Sequence, residues 1–188
     1  MQKNIAVHWF RQDLRLADNP ALAMAAKHDQ LLPIYIFDDM NVSEKVMGEA
    51  SKLWLHHSLN ALNKSLDGKL SIYKGDPAKI LDESCSIERD KKIKVLLQDK
   101  NIEVHSANGS LLWEPWTIKN GSGSSYKVFT PFYRKGCLQA EHPRHPLSPP
   151  QKANYQYDKD KSLTVDQLAL LPQIKWDKKI LTYWKIGE

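Results

Sequence analysis

Apolar positions come in short uncharged runs separated by stretches at helical spacing. Residues 5–10, I-A-V-H-W-F, make a β-rich run of the kind buried on both faces. Charge follows at once in R-Q-D-L-R-L-A-D, before Asn19 and Pro20 supply an N-cap and a first helical residue. A short helix is predicted over 21–27 and a second buried strand over 31–37, with Pro33 near its start, where a missing donor is tolerated. Asp38 and Asp39 close that strand. Over 49–66, Leu55, Leu59, Leu62 and Leu66 fall on one helical stripe, and Asp67-Gly68 ends it. Residues 69–73 read as a third strand, and Gly75-Asp76-Pro77 repeats the turn, cap and proline device. The order β-α-β-α-β-α predicts an α/β fold, a doubly wound parallel sheet.

The alternation then breaks. Residues 78–84 and 87–100 both read as helical, with Ile93, Leu96 and Leu97 on one side, and no strand lies between them. Either a strand is missing near Cys85-Ser86, or one helix runs over 77–100. If the strand is missing, a four-stranded sheet is expected, with residues 102–106 taking the vacated place beside the first strand. Loss of a central strand should also lower stability and favour aggregation. L-L-W-E-P-W, from Leu111, is aromatic and turn-like, and residues 120–125 form a Gly/Ser loop. Y-K-V-F-T-P-F-Y-R begins extended and turns helical after Thr130-Pro131, with Thr130 as cap. Residues 141–150 hold four prolines and read as a semi-rigid connector. Thr164 and Gln167 frame a capping box that opens a short helix. The division this suggests is 1–138 as an α/β domain and 139–188 as a linker region.

Composition narrows the class. The chain has 188 residues and a net charge of +5, with its lysines spread throughout, so a solvated basic surface explains the charge without a polyanion. Two cysteines form neither metal spacing nor a disulfide framework. No apolar run can span a bilayer and Met1 opens no signal peptide, so no membrane partner and a cytoplasmic location are expected.

The charged turn after the first strand sits where ligands bind in open parallel sheets, beyond the carboxyl ends of the strands. Arg11, Asp13, Arg15 and Asp18 therefore lie at a candidate site. Arg11 and Asp13 could equally pair and fix the turn, and Asp18 and Asn19 read as helix caps. There is no Walker A sequence, no G-x-G-x-x-G and no nucleophile elbow. His56 and His57 are adjacent and cannot chelate one metal from a helix, and His142 and His145 fall in the proline-rich connector. These residues point to a domain that binds a small nucleotide-like or aromatic ligand.

Four stretches carry a resemblance. H-W-F-R-Q-D-L-R-L-A-D-N-P-A-L, M-G-E-A-S-K-L-W-L-H-H-S-L and N-G-S-L-L-W-E-P-W followed by Y-K-V-F-T-P-F-Y-R resemble, in order, segments of the DNA photolyase/cryptochrome family. The wording is similar to bacterial class I enzymes that act on cyclobutane pyrimidine dimers. The resemblance implies a Rossmann-like N-terminal domain of five strands in the order 3-2-1-4-5, holding an antenna chromophore. It also implies a helical domain holding FAD and meeting damaged DNA, of which W-K-I-G-E resembles the approach. Residues 139–188 would then be the linker and the start of that absent domain, and the isolated chain would not be catalytic. The missing strand removes a loop that contacts folate in folate-binding members, which argues against methenyltetrahydrofolate and for a deazaflavin or flavin antenna. By position, Arg11, Phe37, Asp38, Lys45 and Trp54 would line that antenna site. Lys127 and Phe129 match a motif that links the two domains. A cryptochrome-like sensing module is the alternative; the resemblance does not speak to oligomeric state.

Overall fold

The computed structural model describes residues 4–40, 47–81, 97, 102–109, 111–114 and 116–187. Lys45, the Cys85-Ser86 junction and, apart from Leu97, the helix expected over 87–100 lie outside the described residues.

Strand β1 (Ile5–Phe10) leads through α1 (Pro20–Ala25) to β2 (Gln30–Phe37), then through α2 (Glu49–Ser65) to β3 (Ser71–Lys74) and α3 (Pro77–Leu81). The three strands form one parallel sheet in the order β1-β2-β3. Register runs Ala6↔Leu31 to Phe10↔Tyr35 on one side of β2 and Ile34↔Ser71 to Phe37↔Lys74 on the other. Pro33 is harmless in this central strand because of that register. Leu31 and Phe37 bond on the β3 side, so the donor Pro33 lacks would also point there, one residue before β3 begins.

One face of the sheet packs on α1 and α2. Phe10, Leu31, Tyr35 and Ile72 meet Leu22, Leu59, Leu62 and Leu66 in a continuous core. Of the predicted stripe, Leu55 is only partly buried, while Leu53 and His56 turn inward. Asn19 caps α1 through its Oδ1, which accepts from the Leu22 N–H at 3.0 Å, with Pro20 at the first position as expected.

The four-stranded expectation is corrected. Residues 102–106 form no strand among the described residues, and the sheet has three. The Ile102 N–H donates to the Leu97 carbonyl at 2.9 Å, and Arg15 holds the Gly109 carbonyl just past the segment, so its ends are tied to groups other than a neighbouring strand. The helical segment near Thr130 also differs. It begins with Val128 as N-cap and Thr130 inside it, widens from the α-turn Phe129–Pro131 into a π-turn, Phe132–Gly136, and then tightens to a 3₁₀ turn, Cys137–Gln139. Gly136 is needed there, because a Cβ would stand 2.6 Å from Ile118 Cγ2.

Residues 153–170 run across the sheet as a strap. The Gln156 N–H donates to the Leu31 carbonyl at 2.8 Å and the Leu163 N–H to the Ile72 carbonyl at 2.7 Å. The Ile72 N–H in turn donates to Ser162 Oγ at 2.9 Å, so the outer edge of β3 is closed at that residue. The expected capping box forms, with the Thr164 N–H donating to Gln167 Oε1 at 2.7 Å. It presents Val165, Leu168 and Leu170 to the same core as α1 and α2.

Candidate functional site

The carboxyl ends of β1, β2 and β3 form a polar rim. Arg11 follows β1 and lies with its guanidinium 5.0 Å from the Trp9 ring centroid, a cation–π contact. Phe37 ends β2 and is half-buried against the core. Asp38 follows it and accepts from the Met40 N–H at 3.2 Å. Beside them Asp39 pairs with Lys74 at 3.3 Å, and the Gly75 N–H donates to the Phe37 carbonyl at 3.0 Å. Arg11, Phe37 and Asp38 thus stand at the carboxyl ends of adjacent strands, Phe37 on the α1/α2 face with Tyr35 and Arg11 over Trp9, whose side chain lies on the other face. Trp54 goes elsewhere: it is 43% exposed on α2, and its ring meets Trp184 edge-on at 6.1 Å.

The charged turn is resolved residue by residue. Asp13 pairs with Arg15 at 3.1 Å rather than with Arg11. Arg15 also donates to the Gly109 carbonyl, tying the turn to the loop after residues 102–106. Asp18 does not cap α1. It adopts φ 51° and binds Arg144, while the Leu147 N–H donates to its Oδ1 at 3.1 Å. The Arg144 hydrogen bond, more than any other cause, holds the Asp18 carboxyl below its usual range. Asn19 alone is the cap, because it stands at the N-cap position with an extended backbone, φ −108° and ψ 96°, three residues before Leu22.

Next to this turn lies an open groove of about 680 Å³, bounded by Pro20, Asn108, Leu112, Trp113, His142 and Arg144. The Trp113 Nε1–H donates to the Glu141 carbonyl at 2.8 Å and fixes the connector as its far wall. Residue-by-residue reading missed this groove, although L-L-W-E-P-W marked one wall. Its other wall comes from the connector, about thirty residues further along the chain.

Buried titratable groups lie behind the rim. His8 on β1 packs edge-on against Phe10 at 4.4 Å, and burial pushes its pKa down to about 4. Burial raises Tyr35 to about 12. Tyr73 is raised by burial and then by its 2.8 Å hydrogen bond to Asp158 on the strap. His56 is buried where α2 meets the strap, and its Nε2 accepts from Asn60 Nδ2 at 3.1 Å. Burial and then His57 lower its pKa against an opposing pull from Asp166, 3.8 Å away. Among the described residues no group of three or more acidic, histidine or cysteine side chains could hold a metal. No described helix is long and apolar enough to cross a membrane.

Comparison with known proteins completes the site. The family model described as DNA photolyase matches residues 6–87 and 84–151, two segments that meet where the strand alternation breaks. A deoxyribodipyrimidine photo-lyase of Agrobacterium fabrum is 35% identical over 96% of this chain and 41% of its own length. Cryptochrome-2 of Arabidopsis thaliana is 33% identical over 76% of this chain and 26% of its own. A bacterial class III photolyase structure from Agrobacterium tumefaciens superposes over the whole chain with TM-score 0.83 and 32% identity, covering 42% of that structure. An archaeal photolyase from Sulfolobus tokodaii, solved with two FAD molecules, shares the fold with TM-score 0.66 at 22% identity, over 90% of this chain and 42% of its own. The class I likeness read in the sequence is thus replaced by likeness to a class III enzyme. The chain spans less than half the length of these relatives and matches the N-terminal part of the photolyase. It belongs to the DNA photolyase family.

Proposed function

We propose that this chain is the antenna-binding N-terminal unit of a deoxyribodipyrimidine photolyase, cytoplasmic, and that it does not repair DNA alone. In that reading residues 1–138 form the antenna domain, and residues 139–188 lead to a helical domain that would hold FAD and receive the damaged DNA. The observation that supports it best is the place of Arg11, Phe37 and Asp38 at the carboxyl ends of adjacent strands, in a chain whose family match runs in order from residue 6 to 151.

The rim suits a planar heteroaromatic antenna. Phe37 offers a half-buried ring edge, Arg11 a cation for carbonyl oxygens, and Asp38 an acceptor for ring N–H groups. Lys45 is proposed as a further contact by its position in the chain. Trp54 is left out because its ring is engaged with Trp184. The bound chromophore would absorb light and pass the energy to a flavin. A deazaflavin or flavin fits this rim. A folate fits less well, because the chain is short of the loop near Cys85-Ser86 that would touch it.

The purified chain should retain one pigment when mixed in turn with 8-hydroxy-5-deazaflavin, FMN and methenyltetrahydrofolate and then gel-filtered. Visible absorbance should co-elute with a deazaflavin or flavin and fall with Arg11→Ala. No co-eluting pigment with any of the three would overturn the antenna assignment. Light-dependent dimer repair after adding FAD would overturn the claim that the chain is not catalytic alone. A sensing module is the second reading, supported by the 33% identity to Cryptochrome-2 of Arabidopsis thaliana. Pigment binding without any role in repair by the longer protein would favour it.

A further inference from the structure

The sequence holds two Asn-Gly-Ser triplets, at 108–110 and 120–122. In each, an asparagine carboxamide precedes a glycine nitrogen that no side chain of its own residue shields, so the covalent chemistry is the same. Only the fold separates them. Residues 120–125 close into a tight loop, in which the Asn120 N–H donates to the Ser124 carbonyl at 2.8 Å and the Gly123 N–H to the Asn120 carbonyl at 2.9 Å. Inside that loop three donors converge on Asn120 Oδ1. They are the Ser122 hydroxyl at 2.7 Å, the Ser124 N–H at 2.9 Å and the Ser122 N–H at 3.0 Å. Among the described residues no hydrogen bond engages Asn120 Nδ2 or the Gly121 N–H, and a Cβ on Gly121 would meet nothing within 4 Å. Asn108 is held differently. Its Nδ2 donates to the Leu111 carbonyl at 3.0 Å while its Oδ1 accepts from the Leu111 N–H at 2.9 Å. The next residue is held as well, because Arg15 grips the Gly109 carbonyl and a Cβ there would stand 3.1 Å from Asp13 Oδ2.

We propose that Asn120 is a self-modification site, at which the side-chain carboxamide becomes a carboxylate by way of a succinimide, while Asn108 persists. The Gly121 nitrogen gives its proton to water or hydroxide and attacks Asn120 Cγ. A C–N bond forms, and Oδ1 takes up the negative charge. The three donors already point at that oxygen, and hydrogen bonds to a developing oxyanion strengthen as its charge grows. The intermediate collapses by breaking the Cγ–Nδ2 bond, and Nδ2 leaves with a solvent proton as ammonia. Water then opens the five-membered imide. Addition at Cγ leaves aspartate, whereas addition at the main-chain carbonyl carbon of residue 120 leaves isoaspartate, whose backbone runs through Cγ. Water is the one co-reactant, and no electron is transferred.

The same step meets resistance at Asn108. There the departing nitrogen is the group that is held, and its bond to Leu111 must break before ammonia can leave. At Asn120 the held atom is the oxygen, which stays in place through the tetrahedral intermediate. In water each such hydrogen bond is worth about two- to ten-fold in a rate. Three strengthened donors on one side and a lost bond on the other give Asn120 an advantage of at least about ten-fold. The product places a carboxylate between Lys119 and Lys127. As isoaspartate it also lengthens the main chain by a methylene just before Y-K-V-F-T-P-F-Y-R.

Peptide mapping of the full chain tests this. Trypsin cuts after Lys100, Lys119 and Lys127, so the two triplets fall on different peptides. The chain is kept folded in neutral buffer for weeks, with a parallel sample unfolded in guanidinium chloride, and both are digested at intervals and read by tandem mass spectrometry. In the folded chain Asn120 should convert at least about ten-fold faster than Asn108, and unfolding should bring the two rates together. An isoaspartyl methyltransferase should label the 120–127 peptide of the aged chain. Ser122→Ala removes the hydroxyl donor and should slow conversion at Asn120 about two- to ten-fold in the folded chain, with circular dichroism unchanged. An Asn120 that stays intact, equal rates in the folded chain, or faster loss of Asn108 each overturn the proposal. So does a Ser122→Ala chain that folds and converts as fast as the parent. The folded-against-unfolded contrast decides if that variant disturbs the loop.

Discussion

Leu168→Ala tests whether the strap is part of the α/β core. Leu168 is 3% exposed and packs, with Val165 and Leu170, into the cluster that holds Phe10, Leu31 and Leu59. Removing a fully buried leucine side chain loses about 1.5–3 kcal/mol of transfer free energy. A cavity adds to that, and measured leucine-to-alanine changes in cores reach about 2–5 kcal/mol. The strap has polar segments on both sides and can settle inward, so the lower part of the range applies, about 2–3 kcal/mol. For a chain of this length, that corresponds to a fall in Tm of about 5–10 °C. Urea unfolding read by circular dichroism and by tryptophan fluorescence should show one shared transition moved to lower denaturant. Leu171→Ala, two residues past Ala169 and 47% exposed, is the control and should stay within about 0.5 kcal/mol of the parent. The reasoning fails if Leu168→Ala leaves the global midpoint in place while proteases begin to cut within residues 153–170. That result would make the strap a peripheral tether that opens independently of the sheet.

Three further perturbations are worked in the same way. His8 has its folded pKa lowered from 6.5 to about 4. Its stabilising contribution is therefore complete above the unfolded value and is lost as pH falls from about 6.5 towards about 4, by up to about 3 kcal/mol. Urea midpoints between pH 7 and 5 should fall in the parent and fall less in His8→Leu; parallel slopes would refute the assignment. Asn19→Ala removes the acceptor for the Leu22 N–H and the donor to the Arg15 carbonyl, and should cost about 1–2 kcal/mol in urea unfolding. Gly136→Ala drives a methyl into Ile118 and the Tyr126 ring and should cost about 1–3 kcal/mol, whereas Gly121→Ala, with open space around it, should stay near neutral.

Elements with local causes were legible in the chain itself. The uncharged run at residues 5–10, the Asn19-Pro20 start, the leucine spacing over 49–66 and the Thr164–Gln167 box each rest on neighbours a few residues away. Their physics is backbone propensity, capping and periodicity, and the structure reproduces them nearly to the residue. The fold class followed from their order. The places of Arg11, Phe37 and Asp38 in the fold were legible for the same reason, because Phe37 ends a strand that the pattern located and Arg11 and Asp38 follow directly after strands.

What long-range pairing decides could not be read in this way. Asp18 looks like a cap in sequence, and only folding brings Arg144, 126 positions away, to its carboxylate. Trp54 looks available for a ligand until the chain returns with Trp184. The strap carries ordinary turn residues, yet its backbone closes β3 and its leucines complete the core. Residues 102–106 have the composition of a strand and form none, because a strand needs a neighbour within hydrogen-bonding distance. Sequence sets which conformations a segment prefers; which partners meet is decided by the assembled fold.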